Sequence, residues 1–226
     1  MNDRPVNPLP PLVLAVFIVL ALIEAALSLG SAGVLGGAEA VGWRVALIDR
    51  LAFAPRVQEL VWRGNWEPQL LARYVSYPLV HVSFTHAAFA CALWLALGKF
   101  VGELYRPLAL AVITLAAVIG GAVVYGVYGS LIGRNMALVG AYPAVYGLIG
   151  AYTYLMWLRL GQIGDSPAKA FRLIGVLMGL QLTFAMLFGS DPSWTADLAG
   201  FIFGGIAAIL VAPGGWKAFL RRMRRD

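Results

Sequence analysis

Apolar residues run through this chain in long blocks that hold almost no charge, and short stretches rich in Gly, Pro, Asp, Ser, Arg and Lys separate them. A helix needs about 20 apolar residues to cross a hydrocarbon core of roughly 30 Å, and helices are one of the few structures that satisfy their own backbone there. Six blocks approach or reach that length, at residues 11–29, 79–100, 107–128, 139–158, 170–189 and 195–212. The pattern predicts an all-α membrane protein, a bundle of six transmembrane helices forming a single domain over residues 1–226. The one long connection, Ser31 to Pro78, mixes Trp43, Trp62 and Trp66 with Arg44, Arg50, Arg56, Arg63 and Arg73. This mixture predicts short amphipathic helices lying at the membrane interface. The other connections are short: Glu103 to Arg106, Gly129 to Leu138, Arg159 to Lys169 and Ser190 to Trp194.

Composition agrees with that pattern, since 61% hydrophobic and only 12% charged residues lie well outside the range of soluble domains. The formal charge of +6 would suit nucleic acid, but Lys217, Arg221, Arg222, Arg224 and Arg225 crowd into the last ten positions. Following Pro213, they read as a basic membrane-side tail over 213–226, with Trp216, Phe219 and Leu220 toward lipid and the cations toward phosphates. The expected partner is therefore the lipid bilayer and not a nucleic acid. Eleven Lys and Arg fall on the side of the termini in the six-span arrangement and six on the other, so both termini are expected in the cytoplasm, at a bacterial inner membrane. The first block follows a single Arg4, exceeds the length of a signal h-region and has no convincing cleavage site, so it is read as a span. Cys91 stands alone inside an apolar block and is read as a packing residue.

Ionisable groups inside a span cost at least a few kcal/mol near the bilayer centre, so each needs a partner or a task. Glu24 is expected to reach the interface from the end of the first helix, and Lys99 to snorkel. His81 and His86, five positions apart, would stand about 140° apart on a helix rather than as the i, i+4 pair a metal site favours. Structural hydrogen bonding is the expected role, with no metal and no cofactor. Asp197 lies beside the row Ala196, Gly200, Gly204 and Ala208, whose spacing of four puts small residues on one face and permits close helix approach. Its expected partner is the fourth span, which opens Gly140-Ala141-Tyr142-Pro143-Ala144-Val145-Tyr146-Gly147 and continues to Gly150.

Together these features resemble the rhomboid family of intramembrane serine proteases. The likeness rests on six spans, the long amphipathic first loop and Ala72-Arg73-Tyr74. It continues through the run His81-Val82-Ser83-Phe84-Thr85-His86, then Gly98 and Glu103, and Ala199-Gly200 with Gly204. The resemblance implies a serine nucleophile in a Gly-x-Ser-Gly sequence at the start of the fourth span and a histidine base on the sixth. Aligning Gly140 with the first glycine places Tyr142 at the nucleophile and Pro143 at the second glycine, and aligning Ala199-Gly200 places Asp197 at the base. His86 falls in the region implied to hold the oxyanion, and the asparagine usually found four residues later is Ala90. Acyl transfer needs an activated nucleophile and donors for the oxyanion. A phenol forms a stabilised aryl ester, and Pro143 lacks a backbone N–H. No histidine follows His86.

The resemblance thus implies a catalytically degenerate member, a pseudoprotease that binds client transmembrane helices without cleaving them. Tyr142 would face Asp197 and donate a hydrogen bond to it, and His81, Arg73, Gly140, Pro143, Gly200 and Gly204 would serve client binding or packing. Two alternatives stay open: an active intramembrane endopeptidase with unusual residues, and a small-molecule transporter in which Asp197, His81 and His86 line a polar cavity.

Overall fold

A computed structural model describes residues 8–188, 192–212 and 214–224, with the side chains at 184–186, 188, 218 and 222 left aside. Arg4, Ser190, Pro213 and Arg225, used in the sequence reading, lie outside these residues. Among the described residues the regular structure is all helical, joined by turns and short extended segments, apart from one bridge between Phe53 and Leu138.

The long helices are α1 (Pro11–Ser31), α5 (Phe84–Leu104), α6 (Pro107–Leu131), α7 (Tyr142–Gln162), α8 (Arg172–Phe188) and α9 (Trp194–Val211). Among the described residues, four of them, α1, α5, α6 and α9, are long and apolar enough to cross a membrane by length and composition. The predicted 79–100 block begins later than expected: α5 starts at Phe84, where Ser83 caps it by accepting from the His86 N–H at 3.2 Å. His81 is consequently in the extended segment ahead of the helix.

The first loop folds into α2 (Trp43–Leu51), α3 (Pro55–Trp62) and α4 (Pro68–Ser76), with 3-10 turns at Gly37–Gly42 and Tyr77–Leu79. Pro at the first position of α3 and α4 starts each helix without wasting a donor. Trp62, at the end of α3, and Trp66, in the connection before α4, are exposed. The loop is tied down at several points. Arg73 donates to the Asp49 carbonyl at 2.6 Å and the Ala52 carbonyl at 3.2 Å, and Ser76 Oγ donates to the Leu51 carbonyl at 2.9 Å, so α4 satisfies the open C-terminal end of α2. Phe53 exchanges backbone hydrogen bonds with Leu138, just ahead of α7.

At the centre is α7, whose residues from Pro143 to Ala151 are all buried. Its glycines meet those of α9: a Cβ at Gly204 would collide with the Gly147 backbone, and one at Gly200 with the Pro143 carbonyl. The row of small residues spaced by four on α9 therefore lies against the start of α7, with backbones in contact and van der Waals packing maximised. Arginine 44 from α2 reaches Glu24 on α1 at 2.6 Å, and Glu24 is only 5% exposed. Glu24 is neutralised in place by a residue of the first loop.

Candidate functional site

The site forms where the segment before α5, the segment before α7 and the first turn of α9 converge. Gly140 takes φ +98°, in the left-handed region that glycine alone enters without strain, and its backbone N–H donates to the Tyr77 carbonyl at 3.0 Å. A Cβ here would also stand 2.7 Å from the His86 ring. The sharp turn aims the next N–H, that of Ala141, at His81 Nε2 at 3.2 Å.

His81 is 1% exposed, and its accepting Nε2 requires the neutral ring. Burial, ahead of the nearby His86 and the Arg44 guanidinium, lowers its pKa to about 4, with Glu24 opposing the shift. Its ring stands edge-on to His86 at 5.2 Å, and His86 lies nearly parallel to Tyr142 at 5.0 Å. The two histidines are five apart in sequence yet adjacent in space, because His81 precedes α5; the helical-wheel separation does not apply to them. Among the described residues no group of three or more His, Cys, Asp or Glu is arranged to hold a metal ion.

Tyr142 opens α7, and Asp197 sits in the first turn of α9, 4% exposed. Both line a cavity of about 280 Å³, with His86, Pro143, Gln181 and Ser193 among its other walls. The hydrogen bond that the sequence suggests from Tyr142 to Asp197 is absent among the described residues. Asp197 instead accepts from Gln181 Nε2 at 2.8 Å, and Gln181 Oε1 accepts from the Tyr146 hydroxyl at 3.2 Å. Tyr146 is one turn beyond Tyr142, so α7 does reach the acid, through an amide on α8. The Tyr142 ring is committed to the stack on His86 instead.

Among the other residues singled out in the sequence, Gly200 and Gly204 hold α9 against α7, and Pro143 lies at that contact and on the cavity wall. Arg73 is outside the cavity and ties α4 to α2. Three residues of the neighbourhood had not been singled out for the site: Gln181, Ser193 and Arg44. Gln181 carried a signal, being a lone amide inside an apolar block; the other two could be placed only by the fold.

The Rhomboid domain family model matches residues 68–214, close to two thirds of the chain. The match takes in α4 to α9 and every residue of the cavity. The chain belongs to the rhomboid family.

Proposed function

We propose that this protein is a rhomboid-like pseudoprotease, an integral membrane protein that binds the transmembrane helices of client membrane proteins and does not hydrolyse them. The observation that carries this reading is the wall of the cavity: Tyr142 and Pro143 open α7, and Asp197 faces the same space from α9. These are the positions where the family resemblance implies nucleophile, second glycine and base. A phenol stacked on His86 is a poor acyl acceptor, a proline offers no N–H to an oxyanion, and a carboxylate already holding an amide is not poised as imidazole would be.

In this reading the chain is one domain of six spans, α1 and α5 to α9, in a bacterial inner membrane with both termini cytoplasmic. The fourth and fifth spans, α7 and α8, fit despite falling outside the apolar four. A helix enclosed by its neighbours, as α7 is, has little contact with lipid and needs less apolar surface, and α8 has 17 residues. A client helix would approach the cavity from the bilayer.

One observation favours a second reading, an active endopeptidase. Ser193, His86 and Asp197 line the same cavity, and these three side-chain types together can build a hydrolytic centre.

Both readings are tested in liposomes with a transmembrane rhomboid substrate, comparing wild type with Tyr142→Ser, Asp197→His, their double variant and Ser193→Ala. The pseudoprotease reading expects the substrate to photo-crosslink at Val82 without any product, and the double variant to gain cleavage. Wild-type cleavage abolished by Ser193→Ala would replace it with the second reading. Cleavage that survives both Ser193→Ala and Tyr142→Phe would overturn both.

A further inference from the structure

The cavity between the starts of α5, α7 and α9 changes in chemistry from its edge inward. Val82 and Ala137 are exposed at the edge, whereas Leu138 and Pro143 are buried members of the same apolar wall. Asp197 is buried with them, at 4% exposure. Among the described residues that line the cavity it is the one Asp or Glu, and none of them is Lys or Arg. Apolar side chains thus lead from the edge to a single buried acid.

Size limits what can reach that acid. One turn of helix with its side chains is a cylinder about 10 Å across and 5.4 Å tall, roughly 420 Å³, against about 280 Å³ of cavity. The body of a helix therefore stays outside, and a side chain goes in. Lys and Arg are the side chains whose two parts match this wall: their methylene stems lie along apolar surface while the cationic head is carried beyond it. At the acid that head finds a charge of opposite sign in poorly solvated surroundings, where unlike charges attract strongly. The attraction acts over several ångströms, so Asp197 need not release the Gln181 amide that it accepts from at 2.8 Å. An acidic side chain would be repelled, and an aliphatic one would cover the carboxylate without compensating it.

Position along the helices agrees. His86, Tyr142 and Asp197 belong to the first turns of α5, α7 and α9, so the cavity is near one end of the bundle and not at its middle. The ends of a span are where transmembrane helices carry Lys and Arg at least cost.

We propose that this cavity selects its clients by a basic side chain, a Lys or Arg within about two turns of the end of the client's span, whose cationic head pairs with Asp197. The inference names the chemistry of the client and rests on the client-binding reading given above.

The test uses the full-length protein in liposomes, with a photo-crosslinking residue at Val82, and leucine-rich transmembrane peptides that differ at one position near one end, where they carry Lys, Gln or Glu. Wild type is expected to capture the Lys peptide with an apparent affinity about tenfold above that for the Gln peptide, and the Glu peptide least. This comparison needs no change to Asp197. In Asp197→Asn, whose side chain can still accept from Gln181, the Lys and Gln peptides should become equal; a Lys preference that persists there would overturn the pairing with Asp197. Equal capture of the Lys and Gln peptides by wild type would overturn the inference and leave client binding standing. Capture of no peptide would overturn both. Cleavage of a preferentially captured Lys peptide would uphold the inference and remove the pseudoprotease reading instead.

Discussion

Among the described residues two carboxylates are buried, Glu24 and Asp197, and they are handled differently. Glu24 on α1 meets a full positive charge: Arg44 grips both its oxygens, Ser28 Oγ donates at 2.7 Å, and the same guanidinium donates to the His81 carbonyl at 2.7 Å. The result joins α1, α2 and the approach to α5. Asp197 on α9 accepts from the neutral amide of Gln181 and borders an open cavity. A charge that is fully paired and enclosed is a structural tie. A carboxylate that lines a cavity together with Tyr142 and His86 is placed to meet whatever enters it, and that marks the second cluster, not the first, as the candidate site.

The largest effect should come from breaking the tie. Arg44→Leu leaves Glu24 buried without a counter-charge, and stability in detergent micelles should fall by about 3–5 kcal/mol. The double variant Glu24→Gln/Arg44→Leu should recover most of the loss; an equal loss in the double would mean that Arg44 matters through packing or the His81 carbonyl alone.

His81 links the two clusters, so acid should weaken the fold near both. Its folded pKa, about 4, is below the ordinary histidine value of 6.5. A depressed value means that the unfolded chain binds the proton more readily. The stability owed to neutral His81 is therefore whole above pH 6.5 and is lost as the pH falls toward 4, to the extent of about 3 kcal/mol. Unfolding midpoints across that window should slope downward for wild type and flatten in His81→Gln; parallel slopes would exclude His81 as the cause.

The smallest effects separate members of the cavity. Gln181→Leu removes a donor from Asp197 and should cost about 1–3 kcal/mol, with Asp197→Asn far milder than Asp197→Leu. Tyr142→Phe, whose lost hydroxyl donates to nothing among the described residues, should stay within about 0.5 kcal/mol. A large loss in Tyr142→Phe would restore the direct Tyr142–Asp197 bond that the sequence suggested.

Helix positions were legible because hydropathy is written locally. Apolar blocks without charge have few alternatives to a spanning helix, and four of the six blocks meet that description in the structure as well. The small-residue spacing on α9 was legible for the same reason, since residues four apart share a helix face whatever surrounds them. The partners of polar groups were not. Glu24 and Arg44 are separated by 20 residues, and Gln181 and Asp197 by 16 with a helix boundary between them, so no periodicity joins them.

By itself, then, the sequence determined that this is a helical membrane protein of rhomboid kind. Only the tertiary structure decided that Asp197 is held by Gln181 and Tyr142 is stacked on His86. It also showed that the two histidines touch despite their helical spacing, and that Glu24 is neutralised from the first loop. The reason is physical: burial and periodicity follow from neighbours along the chain, whereas a hydrogen bond depends on a few ångströms between groups that only the packing of whole helices brings together.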